Sequence, residues 1–307
     1  MGHHHHHHTS KGLTLAFWLN LLFSIVEVIG GIATNSTAII ADAFHDFMDA
    51  MAIGAAVLLE KISGRKRTLK FTYGYKRFSL LSAIGMSLFL LVGAVLMIVA
   101  AVQSFINPEP VNSAGMWWLA ILGVIINGFA FLRIKKSNGK DQHAHHNGHS
   151  HVQENPNSKA IMLHLLEDVL GWIAVLIGAT VIYFTGWYWI DGILALGIAV
   201  FISYNAIRNL IATSRVLLQA VPENVDLTQL VAELNTIEGV ENIHDLHVWS
   251  LDGNYHVASL HVVMSKQAIH PGKNIYTAVM GLMNKYHIQH PTIQIETDLH
   301  SCKLAEC

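Results

Sequence analysis

The chain has 307 residues, of which 52% are hydrophobic and 13% charged, and its formal charge of −2 is nearly balanced. The apolar residues gather into long runs, which excludes an ordinary water-soluble globular protein, and no basic excess offers a surface to nucleic acid. The two cysteines, Cys302 and Cys307, lie at the C-terminal end, so no disulfide framework is implied.

Residues 1–10, MGHHHHHHTS, read as an expression tag. A membrane crossing takes roughly 20 apolar residues to cover about 30 Å of hydrocarbon. Six segments meet that length, near 13–34, 36–59, 78–106, 115–134, 159–184 and 187–213. The first lacks a signal-peptide cleavage pattern and reads as a retained helix. The connection at 60–77 carries Lys61, Arg65, Lys66, Arg67, Lys70, Lys76 and Arg77, and that at 133–159 carries Arg133, Lys135, Lys136, Lys140 and Lys159. The alternate connections, 107–114 and 185–189, hold no Lys or Arg, which places the basic loops and both termini in the cytoplasm. Trp117, Trp118, Trp187, Tyr188 and Trp189 sit at the opposite ends of the spans, as an interfacial aromatic belt would. Residues 11–217 therefore read as a polytopic α-helical domain of six transmembrane helices.

Within it, the cytoplasmic loop 141–152 contains His143, His145, His146, His149 and His151 without apolar periodicity. Such a tract serves either to gather divalent ions weakly near a pore or as a solvated linker. Beyond residue 217 the pattern changes to helix, strand, strand, helix, strand, with Asp252-Gly253-Asn254 at a hairpin turn between two alternating strands. This α-β-β-α-β order in residues 218–307 suits a cytosolic ferredoxin-like α+β domain.

Two spans each carry a histidine and an aspartate four residues apart: His45 and Asp49, His164 and Asp168. On a helix these positions share a face one turn apart, so two such helices facing each other make a four-ligand cage. Ionisable groups cost about 2.5 to 3.5 kcal/mol each at mid-membrane on insertion scales, so a matched set of four points to a metal path. Two imidazoles and two carboxylates suit tetrahedral zinc, whereas magnesium prefers octahedral oxygen; cadmium and cobalt share the ligand types. Zinc binds neutral imidazole and ionised carboxylate, so protons and metal compete for the same lone pairs. Glu27 belongs either to the pathway or to helix-to-helix hydrogen bonding, and Asp42, one turn before His45 on nearly the same face, either backs the site as an outer-shell partner or has no part in it.

The C-terminal region holds further potential ligands, among them His244, His247, His256, His261, His270, His287, His290, Glu296 and His300. Strand alternation turns His244 and His247 to opposite faces unless a bulge intervenes. Cys302 and Cys307 suit zinc better than a disulfide in a reducing compartment.

Several runs together resemble the cation diffusion facilitator transporters, especially the bacterial zinc, cadmium and cobalt exporters. They are Glu27-Val28-Ile29-Gly30-Gly31, Asp42-Ala43-Phe44-His45 leading to Asp49, His164 with Asp168, Phe184-Thr185-Gly186-Trp187, and His244-Asp245-Leu246-His247-Val248-Trp249. The resemblance implies six spans, a cytosolic ferredoxin-like domain, a homodimer in the bilayer, and exchange of a divalent cation for protons. It also implies a regulatory metal site at His244, His261 and Glu296 with the terminal cysteines nearby. Some family members place ligands between the second and third spans, but residues 65–77 contain no His, Cys or acid. That basic run reads instead as an orientation signal or as a charge interlock between subunits.

Three classes of function compete. A proton-coupled zinc exporter uses the cage, the charge asymmetry and the appended domain. A membrane metalloenzyme needs an open coordination position, which a four-ligand cage lacks, so the chain is read as no enzyme. A sensor without transport needs no ligands at membrane depth.

Overall fold

The computed structural model describes residues 7–63, 65–140, 156–265 and 273–297. Six helices of 27 to 30 residues come first: α1 His7–Thr34, α2 Thr37–Ser63, α3 Phe78–Ile106, α4 Ser113–Lys140, α5 Pro156–Thr185 and α6 Trp189–Leu217. At 1.5 Å per residue each is about 40 Å or longer, enough to cross a bilayer by length. Among the described residues, four qualify by apolar character as well, through Phe78–Ile106, Ser113–Leu132, Leu165–Thr185 and Trp189–Leu217; those of α1 give the shorter apolar stretch Asn20–Thr34, and those of α2 do not qualify. The cause in α2 is its acids: Asp42, Asp46 and Asp49 fall within three turns. Leu22, Ile29, Val92, Ile125, Phe129 and Ile177 are largely exposed along these helices, an apolar surface suited to lipid and penalised by water.

The chain divides into two compact units, one drawn from residues up to Val57 and from Met86–Ile207, the other from Leu58–Gly85 and from Arg208 onward. In the first, α2 is the helix with buried neighbours on two sides. Ile39 joins Met116 and Ala120 of α4 and Trp172 and Val175 of α5 in one core cluster, while Ala38 and Ala41 meet Ala101 of α3 and Ala195 of α6 in another. Small residues let these backbones approach closely. At Gly93 of α3 an added Cβ would come within 1.9 Å of the Phe44 ring, and at Gly192 of α6 within 2.7 Å of the Phe105 backbone nitrogen.

The N-terminus of α2 is held by a residue from far along the chain. Asn35 takes the left-handed conformation (φ 53°) that ends α1, and Ser36 N–H reaches back to Gly31 O at 3.0 Å. The carboxylate of Asp191, in the first turn of α6 and 0% exposed, then accepts from Ser36 Oγ at 2.5 Å and from Thr37 N at 2.6 Å. Ser36 Oγ in turn accepts from Ile39 N at 3.2 Å. The free N–H groups and the positive dipole end of α2 are thereby satisfied by a buried anion instead of by water.

In the second unit α7 (Leu227–Asn235), β1 (Val240–Ser250), β2 (His256–Met264), α8 (Lys273–Lys285) and β3 (Ile288–Glu296) follow in the expected α-β-β-α-β order. The sheet runs β1-β2-β3, with β1 antiparallel and β3 parallel to β2. The hairpin forms where Asp252-Gly253-Asn254 stands: Gly253 has φ 94°, and Asp252 Oδ1 accepts from Asn254 N at 2.9 Å and Tyr255 N at 2.7 Å. Leu230 and Leu234 of α7 and Ile275, Val279 and Met283 of α8 pack on Val248, Leu260 and Val262, giving this unit its own core. Of the basic run 65–77, Lys76 pairs with Asp252 at 3.3 Å and lies 4.3 Å over the Tyr255 ring, an intrachain contact.

Asp191→Ala orphans buried donors at the start of α2, and its expected cost is on the order of 1–3 kcal/mol, read as a lower melting temperature in detergent. Asp191→Asn, whose amide oxygen still accepts, loses less. An unchanged melting temperature in Asp191→Ala contradicts the clamp.

Candidate metal centres

The helical spacing brings His45 and Asp49 together: Nε2 and Oδ2 stand 3.7 Å apart with both side chains three-quarters or more buried. Around them α2 carries Asp42 and Asp46, both buried, and α1 contributes Glu27, 1% exposed. Glu27 lies beside Asp46 and in the electrostatic field of Asp42 and Asp168. Asp42 in turn feels His45, Asp49 and Asp168, which puts the α5 carboxylate in the same neighbourhood as the α2 pair. His164 lies on α5 one turn before Asp168, and its side chain is outside the described residues. Acids gathered in a low-dielectric interior disfavour one another's charge, a cost that a divalent cation bound among them would offset.

The second centre is in the sheet. Among the described residues, His244, His261 and Glu296 form a group whose ligand atoms all lie within 4.8 Å of one another. β1 and β2 set His244 directly opposite His261, and β3, parallel to β2, places Glu296 against the neighbouring Val263. Glu296 spans both rings, with Oε2 at 3.1 Å from His244 Nε2 and Oε1 at 2.9 Å from His261 Nδ1. Donors around tetrahedral zinc at bond lengths near 2.0 Å stand about 3.3 Å apart; the two Glu296 contacts are a few tenths of an ångström shorter than that, and the whole set lies within 4.8 Å. Burial raises the Glu296 carboxyl, but hydrogen bonds from His244 and Gln294 and the charges of both imidazoles outweigh it and hold the group below the ordinary glutamate value. Cys302, Cys307, His270, His300 and the histidines of loop 141–152 lie outside the described residues.

Sequence reasoning missed one member of this neighbourhood. Asp245 follows His244 directly, and simple alternation turns it to the other face of the strand. Instead β1 has a register irregularity between His244 and His247, and Asp245 takes φ 51°. Its carboxylate, 9% exposed, lies 2.8 Å from His247 Nε2 through Oδ1 and 3.6 Å from His261 Nε2 through Oδ2. The only sequence hint was conditional: a bulge would be needed for His244 and His247 to share a face.

The chain is similar to known proteins along nearly its whole length. Residues 13–218 match the family model for the cation efflux transmembrane domain, and residues 222–298 that for the cation efflux protein cytoplasmic domain. The chain is 30% identical to the cadmium, cobalt and zinc/H(+)-K(+) antiporter of Bacillus subtilis, covering 98% of this chain and 94% of the relative. It is 32% identical to the metal cation efflux system protein CzcD of Cupriavidus metallidurans, over 99% and 91% of the two chains. To the zinc transporter ZitB of Escherichia coli it is 32% identical, over 96% and 90%.

The lowered Glu296 carboxyl makes metal-free stability depend on pH. Its contribution is fully present above the ordinary value of 4.5 and disappears as pH falls through the lowered folded-state value. In chelator, melting followed against pH should show an acid limb that flattens in Glu296→Gln. Equal limbs in both proteins contradict the assigned hydrogen bonds.

Proposed function

The chain belongs to the cation efflux family, and on that premise we propose that it is a secondary transporter exporting divalent zinc from the cytosol in exchange for protons. It works as a homodimer in the bilayer, with six crossings in residues 11–217 and a cytosolic ferredoxin-like domain in 218–307. Both termini are cytoplasmic, the membrane is the bacterial inner membrane, and the reaction is transport, with no covalent chemistry. The observation that carries this reading is that the i, i+4 pair of α2, His45 with Asp49, shares its electrostatic neighbourhood with Asp168 of α5.

The cargo ion sits between α2 and α5 on His45, Asp49, His164 and Asp168. Two imidazole nitrogens and two carboxylate oxygens satisfy a four-coordinate ion of the zinc kind, and cadmium and cobalt accept the same donors. From the cytosol the ion meets these groups unprotonated. After the helices rearrange to face the other side, protons take the same lone pairs and release it. The exchange needs only that competition and a bundle with two arrangements. Glu27, Asp42 and Asp46 put further carboxyl oxygens beside the path by which the cation reaches the ligands.

His244, His261 and Glu296 hold a second divalent ion in a regulatory role, with Cys302 and Cys307 joining from the C-terminal end. Lowering the exporter's activity when cytosolic zinc is scarce is the use such a site would have.

Proteoliposomes loaded with a zinc dye test the transport reading. Uptake should rise with an imposed pH gradient, and His164→Ala or Asp168→Asn should abolish it while the purified protein stays folded. Uptake indifferent to the gradient contradicts proton coupling, and full uptake in both variants contradicts the cage.

A further inference from the structure

The proposed regulatory site has two imidazoles that are supported differently. His244 offers Nε2 to Glu296, and its buried Nδ1 has no hydrogen-bond partner among the described residues. His261 offers Nδ1 to Glu296 at 2.9 Å, and its opposite nitrogen, Nε2, faces Asp245 Oδ2 at 3.6 Å. A ring that gives the lone pair of Nδ1 to a metal must carry its hydrogen on Nε2, which here points at a carboxylate.

We propose that Asp245 is the positioning residue of this site: it receives the Nε2–H of His261, fixes the ring's tautomer and turns Nδ1 toward the ion. The inference rests on the reading that His244, His261 and Glu296 hold a divalent cation. A carboxylate behind a metal-ligating histidine orients the ring and raises its basicity, and losing one costs roughly 10- to 100-fold in metal affinity. The backbone is built for this placement. The irregularity in β1 between His244 and His247, with Asp245 at φ 51°, brings its side chain to the face that alternation would deny it. The left-handed conformation costs aspartate less than most residues, because its short polar side chain bonds locally. His247, 48% exposed, donates to the other oxygen, Oδ1, at 2.8 Å and holds the carboxylate plane. In the metal-free arrangement 3.6 Å is longer than a hydrogen bond. Metal at Nδ1 closes that gap, because the ring then carries an N–H where the oxygen waits.

Two substitutions remove the charge while tolerating the backbone: Asp245→Asn, nearly isosteric and at ease at positive φ, and Asp245→Gly, free of the Cβ restriction. They are made in the chain freed of residues 1–10 and with His143, His145, His146, His149 and His151 changed to Ser, purified in detergent, with His45→Ala and Asp168→Ala disabling the span site. Cobalt(II) is the probe, titrated alone and read by its ligand-field absorption, with zinc affinity obtained by competition. The parent should bind one cobalt at the cytosolic site. Both Asp245 variants should bind it roughly 10- to 100-fold more weakly, with shifted absorption bands, while Asp245→Asn, which keeps an acceptor for His247, should melt close to the parent without metal. Unaltered affinity and spectrum in the variants, with the parent binding cobalt, overturn the role of Asp245 alone. A parent that binds no cobalt overturns this proposal together with the metal site it rests on.

Discussion

Putting ionisable groups into a bilayer is the constraint on which this structure depends. Within three turns α2 bears Asp42, His45, Asp46 and Asp49, a density that no lipid-facing helix tolerates at a few kcal/mol per group. The surrounding helices answer that cost. α2 has core on two sides, aromatic and branched on the α4–α5 side and alanine-rich on the α3–α6 side, and its acids are buried or half-buried beside Glu27 and Asp168. The large apolar side chains that face outward belong mostly to the other helices. A charged helix shielded by apolar ones is how a membrane protein keeps a polar path.

Holding such a helix in register takes more than side-chain packing. Gly93 lets the Phe44 ring of α2 lie against the α3 backbone, Gly192 lets α6 meet α3 backbone to backbone, and the Asp191 carboxylate ties the N-terminus of α2 to α6. His45 lies about two turns beyond that anchor. A helix fixed at one end and lined by small residues can tilt without the proposed ligands His45 and Asp49 losing their spacing, since i and i+4 geometry belongs to the helix itself. The cytosolic unit solves a smaller version of the problem: Glu296 spans two imidazoles, and its charge is offset before any ion arrives.

What was legible in the sequence was what is local. The His45–Asp49 pairing followed from helix periodicity, the hairpin from Asp252-Gly253-Asn254, and the order of the C-terminal elements from changes of period. Asp191 was invisible because its partners, Ser36 and Thr37, lie about 150 positions away and nothing in the neighbouring residues marks the contact. Asp245 was missed for the opposite reason: the local rule of strand alternation applied and gave the wrong face, since a single irregularity in β1 reversed it. Counting spans by length gave six, whereas among the described residues apolarity picks out four long helices and a shorter stretch in α1. In α2 the same acids that make the site dilute the apolar signal.

The claim at the centre is that α2 and α5 share one ion through imidazole nitrogen and carboxylate oxygen alone. X-ray absorption at the zinc edge tests it most directly, on the chain freed of residues 1–10, with the loop histidines at 143–151 changed to Ser and with His244→Ala, His261→Ala, Cys302→Ser and Cys307→Ser removing the cytosolic ligands. The account predicts one bound zinc with four light-atom neighbours near 2.0 Å, two of them showing the outer-shell scattering of imidazole. A zinc that departs with the cytosolic ligands, or one lacking imidazole scattering, would contradict it.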